Sequence, residues 1–295
     1  MTFNENAQLD TSGVTRGRRG AAVGGGLGGF GLIGVILYVL ITGQLPDLGQ
    51  AYEAPANQQE QHQGQSLEEQ CRTGADANSN VECRMVAGKN SIDAFWNAQT
   101  RSELGIRYQP ASLNLFSGRV STACGAGSSQ TGPFYCPGDQ SIYIDVSFFD
   151  QLNRLGADNA PLAQLYILAH EYGHHMQLLT GDLNKIDHRS SGESSSMVRS
   201  ELQADCLAGA WIHNAASTKD ANGNAFMKQP TEAELRAAMD AAQAVGDDRI
   251  YENAGLEANP DNFSHGSAEK RMEWLLRGIK GGTYQTCDTW SVAKP

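Results

Sequence analysis

An α+β fold is what this sequence predicts, on three observations. Two strand-like segments, "ASLNLFSG" and "QSIYIDVSFF", fall together in the middle of the chain. Four segments with helical apolar spacing and clear start and stop residues follow them. Strands and helices therefore do not alternate, and segregated elements of this kind belong to the α+β class. At 295 residues the chain can bury a full core, one domain of about 200 residues plus extensions being the expectation.

In chain order, the N-terminus reads as a separate object. Residues 1–20 are a short tail ending in Arg16, Arg18 and Arg19. From Ala21 to Gly43 no residue is charged, a stretch of about 35 Å if helical, enough to cross a bilayer. The arginines before it, against only Asp47 just after it, place the tail in the cytoplasm and the rest of the chain outside the membrane. A cleaved signal peptide is the rival reading, but the apolar stretch is longer than a usual signal core and lacks an adjacent cleavage site. Residues 44–67, rich in Gln, Ala, Pro and Glu, cannot bury enough surface to fold and read as a flexible linker. The domain proper is then 68–290, on a single-pass anchor in the cell membrane.

Composition narrows the partners. The formal net charge is −11, with 19% charged and 40% hydrophobic residues, and no concentrated basic face appears, which argues against nucleic acid. All six cysteines lie beyond the apolar stretch, and an even number in an extracytoplasmic chain implies disulfides. Six cysteines allow 15 pairings. The economical one joins Cys71 with Cys83, Cys124 with Cys136, and Cys206 with Cys287. A zinc site made of cysteines is disfavoured because no CxxC pair occurs.

Within the domain, "NSIDAFWNAQTRSEL" predicts a helix capped by Ser91. The two strands come next, separated by a Gly-, Ser- and Pro-rich loop, "RVSTACGAGSSQTGPFYCPGDQ", pinned by Cys124 and Cys136. A long helix runs from Pro161 to near Gly181. "SSMVRSELQADCLAGAWIHNA" is a second, "TEAELRAAMDAAQAVG" a third with a capping box at Thr231 and Glu234, and "SAEKRMEWLLRGIKGG" a fourth, starting at Ser267.

The first of these four helices carries "HEYGHH" inside an apolar run. His170 and His174 are four apart, so they stand on one helix face, near enough to bind a single metal ion. Glu171 sits on the adjacent face, where a carboxylate reaches water at the metal without being a ligand. This is the HExxH arrangement, with two imidazoles for Zn2+ and a glutamate as general base. A catalytic zinc needs a third protein ligand, and Glu201 and Asp205 share a face of the next helix. Glu201 is assigned to the metal, and Asp205 to the free ring N–H of a ligating histidine. Two carboxylates on a helix are ordinarily solvated, but Leu202, Ala204, Cys206, Leu207 and Ala208 mark this helix as buried, and buried carboxylates need partners. Gly173 lets another element approach closely. His175 points away from His174 and reads as a packing residue, and His188 and His213 are left out of the site.

"PFYCPGDQSIYIDVSFF", "LAHEYGHHMQ", "SELQADCLAGAW" and "HGSAEKRMEWLLRG" together resemble the bacterial family of putative neutral zinc metallopeptidases, single-pass membrane proteins with an extracytoplasmic HExxH domain. More distantly, HExxH followed by ExxxD is similar to the Glu-zincin pattern. The resemblance implies a zincin-like fold, with a ligand helix packed on an active-site helix and an edge strand that can take an extended peptide. "SHGSAEKR" also resembles a His-(x)5-Arg segment of membrane zinc proteases that contributes transition-state contacts, with Gly266 where those have proline. This makes His265 and Arg271 candidate catalytic residues that stabilise an oxyanion. The alternative for Arg271 is a surface ion pair with Glu269 or Glu273.

The expected function is a zinc-dependent endopeptidase acting on peptide or protein substrates outside the membrane, with Glu171 as general base and a strand such as "SIYIDVSFF" at a sheet edge holding the substrate. The alternatives are a zinc-binding envelope scaffold or binding protein with little turnover, and hydrolysis of another amide. Neither substrate identity nor protein partners can be read from the residues.

Overall fold

The computed structural model describes residues 2–17, 65–129 and 131–295. The stretch 21–43 read as a membrane span, and all but the end of the 44–67 linker, lie outside the described residues. Among the described residues no helix is long and apolar enough to cross a membrane.

The fold is mixed α+β, as expected. Four strands form one sheet in the order β1 (Val14–Arg16), β2 (Ser112–Phe116), β6 (Ser141–Asp145), β5 (Phe134–Cys136). β1 and β2 pair in parallel, β2 and β6 in parallel, and β5 runs antiparallel to β6. A separate hairpin, β3 (Arg119–Thr122) with β4 (Gly125–Ser128), lies between β2 and β5 in sequence. The segment expected to be a plain loop thus contains three short strands. Their Gly- and Ser-rich composition hides them, because pairing and the Cys124–Cys136 disulfide hold them where intrinsic propensity does not.

β6 is buried along its whole length, as befits a strand covered on both faces. It is not an edge strand, which corrects the expectation that "SIYIDVSFF" could hold a substrate. The edge on that side is β5. The strand also ends early: Asp145 accepts the backbone N–H of Ser147 and caps a helical turn over "VSF".

Residues 2–17 correct the reading of a detached tail, for they are built into the body. Val14, Thr15 and Arg16 pair with Leu113, Asn114 and Leu115. Phe3 is fully buried and bridges to Met227, and the backbone N–H of Asn4 donates to the carbonyl of Phe226 at 3.0 Å.

Among the described residues six helices have seven residues or more: α1 (Val81–Gln99), α2 (Pro161–Thr180), α3 (Ser196–Asn214), α4 (Glu232–Ala244), α5 (Asp247–Asn253) and α6 (Ala268–Gly281). α1 begins at Asn80, whose side chain accepts the N–H groups of Glu82 and Cys83. The predicted cap, Ser91, is instead inside this helix, its hydroxyl accepting from the Trp211 indole at 3.1 Å and paired with Thr218. The other starts stand as expected: Pro161 opens α2, Ser195 caps α3, Thr231 and Glu234 form a capping box, and Ser267 caps α6.

α2, α3 and α6 pack in succession through the core. A Cβ at Gly173 would lie 2.7 Å from Ala204 Cα, and one at Gly278 only 1.9 Å from the Cys206 carbonyl oxygen, so both contacts require glycine. The disulfides are the three expected, Cys71–Cys83, Cys124–Cys136 and Cys206–Cys287. The last ties the C-terminal segment to α3.

Candidate metal centre

The glycine contact at Gly173 brings α3 against the histidine face of α2. His170 and His174 stand one turn apart with ring centroids 4.9 Å apart. Glu201 comes down from α3, its Oε2 3.2 Å from His170 Nε2 and its Oε1 3.6 Å from His174 Nε2. One ligand atom from each of His170, His174 and Glu201 lies within 4.8 Å of the others. The spacing inference thus lands on the three residues it named.

Proton placement shows what this cluster suits. His170 Nδ1 donates to Asp205 Oδ1 at 2.8 Å, which leaves Nε2 a bare lone pair. His174 Nδ1 lies 2.9 Å from Gln177 Oε1, and its Nε2 is bare for the same reason. Glu201 Oε2 is buried with no hydrogen-bond partner, although His170 Nε2 lies 3.2 Å away. Two ring nitrogens and a carboxylate oxygen converge here, a set that a bound cation satisfies. In the bare protein a proton would fill that role. Burial disfavours a charged His170, yet the carboxylates of Asp205 and Glu201 outweigh it and lift its pKa to about 10. His174 and His170 in turn hold Glu201 well below the carboxylate range against its burial. The donor set, two imidazoles and one carboxylate with space left over, fits a catalytic zinc.

Asp205 is fully buried and engaged throughout. Besides His170 it accepts from Tyr166 Oη at 2.5 Å and from Arg271 Nε and Nη2 at 2.8 and 2.9 Å. Burial would raise its pKa, but Arg271 and then His170 bring it below the ordinary value. Arg271 is therefore no surface ion-pair residue. It is Lys270 that meets Glu273. With its remaining donor Nη1 on the Val245 carbonyl at 3.0 Å, Arg271 commits its guanidinium to protein partners, which weighs against the oxyanion contact expected of it.

His265 lies in the loop before α6. Its Nδ1 is 2.9 Å from Asp247 Oδ1, and Asp247 Oδ2 accepts the backbone N–H groups of Ser264, His265 and Gly266. This leaves Nε2 for the adjoining cavity, which His265 lines together with His170 and Glu171. Gly266 has φ +94°, a value closed to proline, so the departure from the His-Pro pattern has a backbone reason.

Glu171 is buried. Burial raises its pKa, partly offset by His170 and His174. The cavity beside it is walled by Phe148, Leu155, Ile167, Val245 and Ile250. Sequence reasoning missed Gln177, Tyr166, Asp247 and Tyr135. A signal existed for the first two, Gln177 lying one turn after His174 and Tyr166 one turn before His170 on the same helix. Asp247 and Tyr135 arrive from other elements and carried none. His213 is exposed and caps α6 through the Ile279 carbonyl at 2.7 Å, away from the site as expected.

A family model described as "Putative neutral zinc metallopeptidase" matches residues 4–290. Over 226 residues the chain is 43% identical to an uncharacterized protein of Mycobacterium tuberculosis, covering 76% of this chain and 75% of that one. It is 39% identical over 204 residues to the uncharacterized protein YpfJ of Escherichia coli, covering 66% of each. No solved structure matches the chain.

Proposed function

This chain belongs to the family described as "Putative neutral zinc metallopeptidase", and from that premise we propose that it is a zinc-dependent endopeptidase with Glu171 as its general base. The observation that carries the reading is the convergence of three ligand atoms, from two imidazoles and one carboxylate, beside a buried second carboxylate and next to an open sheet edge. His170, His174 and Glu201 would hold the metal. Bound there, zinc supplies a Lewis acid that acidifies water and polarises a carbonyl.

The residues divide the remaining work. Glu171, its proton affinity raised by burial, takes the proton of the attacking water and returns it to the leaving amine. His265 presents Nε2 to the cavity, where it can meet the oxyanion, while Asp247 holds its other side. β5 offers its free edge to an extended peptide, which adds as a further strand. The apolar cavity, about 60 Å³, has room for roughly four to six waters or one branched aliphatic side chain. The charge of Arg271 in its wall is already matched by Asp205. An apolar residue next to the scissile bond is the preference this favours.

A zincin-like arrangement with a membrane-engaging stretch at 21–43 completes the proposal. Three disulfides favour an oxidising compartment outside the cytoplasm.

The test is cleavage of a diverse peptide mixture by the full-length, oxidised, zinc-loaded chain, keeping residues 2–17 because they belong to the sheet. Cuts by wild type that vanish in Glu171→Gln, with zinc retained in both, support the peptidase. Zinc bound one to one without any cut would favour the scaffold reading, although a purely structural site has no use for Glu171.

A further inference from the structure

We propose that His175 is a positioning residue that holds the β5 edge strand at its working place beside the helix that carries the metal ligands. The inference rests on the peptidase reading above.

His175 follows His174 on α2 but faces the other way, and it is fully buried. Its Nε2 lies 2.6 Å from the carbonyl oxygen of Gln109, just before β2. A carbonyl only accepts, so Nε2 carries the proton and Nδ1 is left as an acceptor. The Tyr135 hydroxyl, 2.9 Å away on β5, therefore donates to Nδ1. Both ring nitrogens are used.

Tyr135 is the hinge of the argument. Its hydroxyl donates to His175, and the strand it sits on packs against α2, the helix that carries Glu171 and both histidines of the cluster. β5 is only three residues long and is joined to one neighbour, so backbone pairing alone fixes it weakly. A side-chain bond from its central residue to the helix that carries the ligands fixes its height over the site. Tyr135 and His175 also meet edge-on, with centroids 5.4 Å apart.

The test uses the full-length zinc-loaded chain and two variants, Tyr135→Phe, which removes one hydroxyl, and His175→Asn. Zinc content, kcat and KM on an extended peptide, and amide hydrogen exchange across residues 133–137 are measured. Tyr135→Phe is expected to keep its zinc, to lose about five- to tenfold in kcat, the worth of roughly one hydrogen bond, and to exchange faster across β5. A merely structural contact would lower thermal stability without moving kcat. Unchanged kcat and unchanged exchange in Tyr135→Phe, with an active wild type, would overturn the proposal even if His175→Asn fails to fold. An inactive wild type counts against the peptidase reading, and the exchange comparison then decides the positioning role by itself.

Discussion

The side-chain oxygen of Gln177 lies 2.9 Å from His174 Nδ1, and its orientation is dictated from a distance. Asp182 Oδ2 accepts from Gln203 Nε2 at 2.8 Å, which turns Gln203 Oε1 toward Gln177 Nε2 at 2.9 Å. Gln177 must then present its oxygen to His174. Beginning from a carboxylate that can only accept, two amides in series put the proton on Nδ1 and the lone pair on Nε2.

Gln177→Leu should therefore weaken zinc binding by about 10- to 100-fold, the usual cost of losing a group that orients a ligand. Competition with a chromogenic chelator measures it. Affinity equal to wild type would mean that packing alone orients His174.

Arg271→Leu should be more damaging to the fold than to the chemistry. Asp205 is fully buried and Arg271 supplies two of its partners, so removing the guanidinium strands a buried carboxylate at a cost of about 3–5 kcal/mol. Arg271→Lys should recover only part, because an ammonium cannot reproduce the fork. Urea unfolding of the metal-free proteins gives both numbers. A loss under about 1 kcal/mol for Arg271→Leu would show that Asp205 takes up a proton at little cost.

These two networks also show what the sequence made legible. The ligands were readable because helix geometry fixes what four-residue spacing can do, so His170, His174, Glu201 and Asp205 followed from pattern and burial. The helix starts at Pro161, Ser195, Thr231 and Ser267 were readable for the same local reason. Tertiary arrivals were not. Arg271 resembled a surface residue of an amphipathic helix until α3 was packed against it, and β5 was disguised by its glycine-rich surroundings. Ser91 had the chemistry of a cap but spends its hydroxyl on Trp211.

Asp247 should give the protein an acid-sensitive component of stability. Burial pushes its pKa up, but the hydrogen bond and charge of His265, with the backbone N–H groups of His265 and Ser264, outweigh this and bring it below the ordinary value. A carboxyl depressed on folding stabilises fully above its unfolded pKa, near about 4, and that contribution disappears as pH falls through the lower folded value. Asp247→Asn removes it, at a cost of about 1.5–3 kcal/mol at neutral pH. The urea midpoint of wild type should fall more steeply than that of Asp247→Asn between pH 5 and pH 3 (roughly the carboxylate window). Parallel curves would mean that Asp247 is not the group responsible.

The N-terminal strand sets a condition on topology. Val14–Arg16 pairs with β2 in the same sheet whose far edge is β5, and Phe3 is fully buried in the core. Strands joined by hydrogen bonds cannot lie on opposite sides of a bilayer, since the membrane interior leaves no room for an open sheet. A single crossing by residues 21–43, with the tail inside and the domain outside, would tear β1 from β2. Residues 2–17 and 65–295 are therefore expected on one side of the membrane. Ser12→Cys, at an exposed site next to β1, tests this in intact cells with a membrane-impermeant maleimide. Labelling equal to that of a cysteine added after Pro295 is the expected outcome. Protection of Ser12→Cys until the cells are lysed, with the C-terminal cysteine labelled throughout, would mean that β1 does not pair with its own domain. The sheet would then begin at β2, and deleting residues 2–17 should leave unfolding unchanged, whereas the paired strand predicts a clear loss of stability.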